Sequence, residues 1–361
     1  MFILFHDHNQ PVCLQGEPWH RYGDCSTQTL EYPKRNTPVF CCFMDMSKAF
    51  DRVSHSELQN VLLKRGVPKY IVCLLRNWYS EQRMSVRWGS TVSSEFTVSC
   101  GVKQGSKISP HLFNLYMDDL SSELNQCKVG CVVNNRIVNH LLYADDIVVF
   151  SPSVTGLQDL VKKCSNYISS KYLTLNNDKT KCMLFTNNRN YFAPPTPVVI
   201  NDINIEYVHE IKYLGYMFTH NNRDDRHIES LYRGMCVRSN MVLRNFKKCT
   251  TDVKCLLLKS FCTSFYCISL IFNYNATKLN RLRVCYNNCL RKLFNLPFRG
   301  SVSALCVRHG IPTFAEVRRK AVVGLLGRLQ NSDNALINSF MNFNFFQSSV
   351  IYRSWRTIAY V

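Results

Sequence analysis

The chain has 361 residues, 46% of them hydrophobic and 19% charged, a balance that excludes a disordered polymer and accommodates about two domains with cores of their own. Its net charge of +19 is uneven: residues 221–361 hold 22 Lys and Arg against 6 Asp and Glu, whereas residues 1–220 hold 22 against 19. A field so placed suits a polyanion, with nucleic acid the leading candidate. The 18 cysteines lie mostly in apolar runs with no secretory leader before them. That pattern points to reduced thiols in the cytoplasm or nucleus and away from a secreted disulfide scaffold. The longest apolar stretch, Ser260 to Phe272, falls short of the ~20 residues a membrane span requires and reads as a buried helix.

In chain order, residues 1–38 show no periodicity and no motif. Val39–Met44 is apolar throughout, as in a central strand covered on both faces, and it closes on Asp45, a carboxylate such a strand has no routine use for. Ser54 and Glu57 have capping-box spacing before the stripe Leu58, Val61 and Leu62, and Gly66 ends that helix. Pro68 opens a second helix through Ile71, Leu74, Leu75 and Trp78. Arg83–Trp88 and Thr91–Val98, separated by Gly89, read as a hairpin. Gly101–Gly105 is a loop before a helix with Ser109 as its cap and Pro110 in its first turn. Within that helix Asp118 and Asp119 are expected on an exposed face, because Leu112, Phe113, Tyr116, Met117 and Leu120 carry the apolar spacing.

Leu141–Phe150 places Asp145 and Asp146 between two apolar arms, a hairpin with its tip at Ala144-Asp145. Most adjacent acids are solvated turns, but a pair between buried arms is costly unless a cation neutralises it, and hard oxygen ligands suit Mg²⁺. Leu157, Leu160, Val161, Cys164, Tyr167 and Ile168 form a helix that covers the sheet. Pro194-Pro195-Thr196-Pro197 breaks regular structure. From about Arg226 the pattern is helical and basic, with Ile228, Leu231, Met235, Val242 and Phe246 on one side and Arg233, Arg244, Lys247 and Lys248 off it. Further helices are expected over Val253–Phe272, Lys278–Phe294 and Phe314–Leu329. Cys285, Cys289, Cys306 and His309 have zinc-like spacing, although two cysteines four apart on an amphipathic helix also suit simple packing.

Three stretches together carry a resemblance: Phe43-Met-Asp-Met-Ser-Lys-Ala-Phe-Asp51, Gly101-Val-Lys-Gln-Gly105 with Ser109-Pro110, and Tyr143-Ala-Asp-Asp146. In order, spacing and residue type they resemble the palm motifs of reverse transcriptases, and Lys-Ala-Phe-Asp after the first acid resembles the non-LTR, LINE-type retrotransposon enzymes. The resemblance spans about residues 39–330. It implies an α+β fold: a right-hand polymerase palm, with an antiparallel sheet and helices on one face, then a mostly helical thumb. Residues 1–38 would be a remnant of fingers in an N-terminally truncated chain, with Ser26-Thr27-Gln28 a faint match to the end of that region and Arg21, Lys34 and Arg35 its available cations. Residues 39–220 would be the palm, and 221–361 the basic thumb and C-terminal region.

The resemblance also implies roles. Asp45, Asp145 and Asp146 would hold two Mg²⁺ ions, with Mn²⁺ as a substitute, and a backbone ligand would come from Met44 or, preferably, the Met46 carbonyl. Asn176–Lys181 resembles the next motif, where Lys179, with Lys181 behind it, would meet the leaving pyrophosphate; the same segment also reads as an exposed turn. Phe50 would underlie the sugar and exclude a 2′-hydroxyl, unless it is ordinary core packing, and Gln104 and Gly105 would line the nascent base pair. Asp51 is expected in a structural hydrogen bond or ion pair. Ile211–Phe218 resembles the primer-grip hairpin, with Tyr213, Leu214 and Gly215 at its turn. Arg233, Arg244, Lys247 and Lys248 would hold phosphates.

The implied activity is RNA-directed DNA synthesis on an RNA template and DNA primer with dNTPs, with no membrane role. No endonuclease region is recognisable, so a separate endonuclease-bearing or fingers-bearing polypeptide would be a partner. The rivals are an inactive remnant that only binds nucleic acid, and an RNA-templated RNA polymerase, which Phe50 disfavours.

Overall fold

The computed structural model describes residues 38–133, 136–186, 196–246, 248–342 and 344–360. The expectations for residues 1–37, for Pro194-Pro195 and for Lys247 lie outside the described residues. The chain divides into two compact units at Val208 and His209, so the hairpin expected to end the first unit belongs to the second.

The first unit runs β1 (Val39–Met44), α1 (His55–Lys64), α2 (Lys69–Ser80), β2 (Arg83–Met84), β3 (Arg87–Trp88), β4 (Thr91–Val92), β5 (Phe96–Thr97), α3 (Ser109–Asn125), β6 (Cys131–Val133), β7 (Arg136–Val138), β8 (His140–Tyr143), β9 (Asp146–Ser151), α4 (Val154–Ser170), β10 (Lys181–Phe185), β11 (Val198–Ile200) and β12 (Ile203–Ile205). Four strands form the central sheet in the order β10-β1-β9-β8, and each neighbouring pair is antiparallel. β1 is therefore an inner strand, as its unbroken apolar sequence requires. Phe40, Cys42 and Met44 join one core with Leu112, Leu160 and Ile168 from α3 and α4, while Cys41 and Phe43 are buried on the alternate face. All six apolar positions expected on α4 are buried. Gln158 on that helix exchanges two 2.8 Å hydrogen bonds with the backbone of Val199, tying the β11–β12 hairpin to it.

Two local expectations are corrected by packing. Asp118 and Asp119 are not a solvated face: Arg65 Nη2 lies 2.7 and 2.6 Å from them, which makes an ionic seam between α1 and α3. Ser109 is the first residue of α3 and not its cap, which is Ile108. The capping box at Ser54 is half made. Its Oγ accepts from the Glu57 N–H at 3.4 Å, but the Glu57 carboxylate pairs with Lys171 at 2.6 Å.

The second unit runs β13 (Glu210–Tyr213), β14 (Tyr216–Thr219), α5 (Asp225–Asn245), α6 (Thr251–Leu257), α7 (Ala276–Leu293), α8 (Ser303–His309), α9 (Phe314–Gln330), α10 (Ala335–Met341), α11 (Asn344–Gln347) and α12 (Val350–Tyr360). Ile228, Leu231, Met235 and Val242 of α5 are buried as expected. The continuous helix expected over Val253–Phe272 is broken. After α6 comes one π-helical stretch to Cys262, and Cys267 sits at φ +54° before a short 3₁₀ turn. The backbone carbonyls of this segment are taken by side chains of other elements: Ser264 by Arg238, Tyr266 by His227, Ser269 by Trp355 and Ile271 by Arg318. Those tertiary bonds satisfy the carbonyls that helical bonds would otherwise serve, so a segment apolar on all sides loses its reason to stay helical. Among the described residues no helix is long and apolar enough to cross a membrane.

Candidate active site

The site is built where β1 ends beside the β8–β9 turn. Met44 of β1 is opposite Ile147 of β9, so one step further Asp45 and Asp146 face each other across the two strands. β8 and β9 close on the pair Tyr143 and Asp146, leaving Ala144 and Asp145 as a two-residue turn. Ala144 has φ +52°. A left-handed alanine is uncommon, and here it permits the tight reversal that brings both acids to the sheet end.

Asp145 and Asp146 are both perturbed. Burial, then the Asp45 charge, raises the Asp145 carboxyl above the ordinary carboxylate range despite a local backbone hydrogen bond that lowers it. Asp146 is pushed up to about 6 by burial first and by Asp145 and Asp45 next. Lys179 Nζ lies 3.9 Å from Asp45 Oδ2, and the lysine side chain is 70% exposed. Lys181, the second choice, pairs instead with Glu206 at 2.7 Å.

Asp45 is held from behind by the segment that carries Lys179. Its N–H donates to Thr180 Oγ1 at 3.3 Å, its carbonyl accepts from the Asn176 N–H at 2.8 Å, and the Ser47 N–H donates to the Thr174 carbonyl at 2.9 Å. Met46 bridges Leu175 through these flanking groups, and its own carbonyl takes no part in that bridge. The charge of Thr180 is nil and its role lies in its buried hydroxyl, so it escaped a reading that looked for cations in Asn176–Lys181.

A second group of predicted residues surrounds the Gly101–Gly105 loop. Its Gly101 N–H donates to the Val53 carbonyl at 2.8 Å and its Val102 N–H to the Phe50 carbonyl at 2.7 Å. Gly101 has φ +94°, and a Cβ there would lie 2.8 Å from the Asp51 carbonyl oxygen, so the close approach needs glycine. Gln104 Nε2 donates to Asp51 Oδ1 at 2.9 Å, which makes Asp51 the structural partner expected of it. Gln104 and Gly105 are exposed. Phe50 stacks on Phe113 with ring centroids 4.7 Å apart, which fixes its plane.

One network escaped the sequence reading. Asn139 Nδ2 donates to the carbonyls of Leu124 and Val129, both at 2.8 Å, so its Oδ1 accepts from His140 Nδ1–H at 2.7 Å. His140 Nε2 then accepts from Ser121 Oγ–H at 2.9 Å. All three side chains are buried, and burial lowers His140 to about 4. This neutral chain pins β8 to α3 five residues before Asp145. The only signal was a polar Asn-His pair at the head of an apolar strand.

In the second unit, β13 and β14 close on Tyr213 and Tyr216 with Leu214 at φ +44° and Gly215 at φ +79°. A Cβ on Gly215 would lie 2.5 Å from the Tyr266 ring. The Tyr213 side chain is buried. Arg233, Arg244 and Lys248 are exposed. Cys285, Cys289, Cys306 and His309 do not converge. Cys285 Sγ lies 3.5 Å from Cys236 Sγ, and His309 stacks on Phe294 at 5.5 Å. Among the described residues no group of three His, Cys, Asp or Glu is already drawn to metal-ligand spacing.

Asp45, Asp145 and Asp146 thus lie at one end of an antiparallel sheet, with Lys179 beside the first of them. The chain belongs to the reverse transcriptase family: residues 9–218 match the model for reverse transcriptase (RNA-dependent DNA polymerase). The curated relatives are products of non-LTR elements, as the motifs implied. A Pol polyprotein from the type-2 retrotransposable element R2DM of Drosophila melanogaster is 40% identical over 136 residues, 38% of this chain and 13% of that protein. The RNA-directed DNA polymerase from mobile element jockey of Drosophila funebris is 26% identical over 331 residues, 89% of this chain and 35% of that protein. The chain thus spans about an eighth to a third of the length of these relatives. Among solved structures, telomerase from Candida tropicalis in complex with a telomeric RNA fragment is 14% identical, covering 91% of this chain and 50% of that one, with a TM-score of 0.43.

Proposed function

We propose that this chain extends a DNA primer on an RNA template with dNTPs. The observation that carries the reading is the meeting of Asp45, Asp145 and Asp146 at one sheet end with Lys179 beside Asp45. Reverse transcriptases generally use divalent metal ions, and carboxylate oxygens are the hard donors that Mg²⁺ or Mn²⁺ takes, although the described residues hold no three such groups at metal-ligand spacing. Asp45 and Asp145 would be the principal ligands, with Asp146 and the Met46 carbonyl completing the set. Bound there, two ions supply the positive charge that lowers the pKa of a primer 3′-hydroxyl and steadies the leaving oxygens.

The chain's own residues do the rest. Lys179 is free enough in solvent to swing from Asp45 toward a departing pyrophosphate and give it a proton. Phe50, fixed by Phe113, would lie under the sugar and reject a 2′-hydroxyl. Gln104, oriented by Asp51, would meet the nascent pair, and Gly105 would let it approach the backbone. Arg233, Arg244 and Lys248, with Lys247, would hold phosphates, and the Leu214-Gly215 turn would lie along the primer backbone. The reduced cysteines support an intracellular site of action, in cytoplasm or nucleus.

Primer extension on an RNA template with Mg²⁺ and dNTPs tests this, beside Asp145→Asn. Extension that disappears in the variant, with hybrid affinity nearly unchanged, is expected. Absence of extension in the wild type, with tight and salt-sensitive hybrid binding, would instead favour a remnant that only binds nucleic acid. Preference for ribonucleotides would overturn the role given to Phe50.

A further inference from the structure

α5 and α7 run in the same direction along a shared seam, and successive contacts fix their register. Glu229 of α5 meets Lys278 and Arg281 of α7 at 3.6 and 3.4 Å. Arg281 also lies over the Tyr232 ring, 4.1 Å from its centroid. Further along, Cys236 Sγ faces Cys285 Sγ at 3.5 Å, and beyond them Ser239 hydrogen-bonds to Cys289. Ordered contacts on either side therefore hold the two sulfurs face to face. Two other thiol contacts, Cys42 with Cys182 and Cys262 with Cys289, join side chains that are wholly buried. Cys236 and Cys285 are only half-buried, which opens this pair to a small solute.

We propose that Cys236 and Cys285 are a redox modification site, a dithiol that hydrogen peroxide closes into a reversible disulfide between α5 and α7. One sulfur, as thiolate, attacks a peroxide oxygen; the O–O bond breaks, water leaves, and that sulfur becomes a sulfenic acid. The second sulfur attacks it, the S–O bond breaks, the S–S bond forms and another water departs. The dithiol thus gives up two electrons and two protons, and one peroxide becomes two waters. A metal site would need further ligands, and among the described residues no three His, Cys, Asp or Glu stand at metal-ligand spacing. Pairing for core packing alone would leave the sulfurs sealed, as in the two buried contacts. Inside a reducing compartment, a disulfide that forms is mostly a transient, redox-sensing one. The bond would join residues 49 apart in sequence. Between them lie the π-helical stretch and left-handed Cys267, where regular helical bonding is interrupted. Closing that span removes freedom from the unfolded chain, so the oxidised unit is the more stable one. The inference needs nothing from the polymerase reading.

The test is peptide mapping of the full chain after hydrogen peroxide treatment, with free thiols blocked by N-ethylmaleimide and masses read without reduction. A peptide pair linked through Cys236 and Cys285 should be the dominant disulfide at low peroxide, and dithiothreitol should reverse it. The oxidised wild type should melt about 5 °C above the reduced chain. Cys236→Ser and Cys285→Ser should each abolish that rise. The mapping is made on the wild type, so it decides the matter even where a variant folds poorly. Cys236 and Cys285 still blocked by maleimide while other thiols oxidise would overturn the site. So would a dominant linkage between Cys262 and Cys289, or a melting rise that persists in Cys236→Ser.

Discussion

Asp146→Asn should make the free protein more stable. The folded chain raises this carboxyl from 3.8 to about 6 through burial and the neighbouring Asp145 and Asp45 charges. At about 1.4 kcal/mol per pH unit, that rise means ionised Asp146 costs the folded state up to about 3 kcal/mol. Relaxation and water around a half-buried carboxylate reduce the expected gain to about 1–2 kcal/mol. The sign follows from the raised value. The folded state holds the proton more tightly, so this group's contribution is fully favourable below pH 3.8 and is lost as pH rises through about 6. Urea denaturation in a chelator should therefore show the variant ahead at pH 7.5 and the gap mostly closed at pH 4.5. Millimolar Mg²⁺ should stabilise the wild type more than the variant, because a ligand bound only to the folded state shifts the equilibrium toward it. A variant no more stable at pH 7.5, or a gap that widens on acidification, would refute the account of Asp146 as a buried charge awaiting a cation.

Lys179→Ala should lower the extension rate by about 10²-fold or more, the range of general acid catalysis, with Lys181→Ala near wild type because its ammonium serves Glu206; single-turnover kinetics separates them. His140, buried and lowered from 6.5 to about 4, acts opposite to Asp146: its contribution is present above pH 6.5 and lost as pH falls through about 4. His140→Phe should cost about 1–3 kcal/mol at pH 7.5 by orphaning Ser121 and Asn139 and should flatten the acid side of the stability curve in equilibrium denaturation. Gly215→Ala meets both a left-handed backbone and the Tyr266 ring, and thermal melts should show a destabilisation of about 1–3 kcal/mol.

The acids, the glycine-bounded loop and the apolar stripes were legible along the chain because each depends on local order: alternation or a period near 3.6, glycine where φ is positive, and charge where no core needs it. From Asp45 to Asp146 the helices and hairpins that those periods call for are present, whereas the β6–β7 hairpin had no expectation. What the sequence could not show is who answers whom. Asp118 and Asp119 read as solvated because Arg65 lies more than fifty residues away, and only the packing of α1 on α3 brings it to them. Ser260–Phe272 read as helix because its competitors for the carbonyls, Arg238, His227, Arg318 and Trp355, come from other elements. Thr180, Asn139 and Ser121 gave no charge or period to notice, and they act by hydrogen bonds that exist only once β1, β8 and α3 have met. Local preference decides which residues form a strand or a turn, whereas satisfaction of buried polar groups depends on contacts across the whole unit, and those the tertiary structure alone decided.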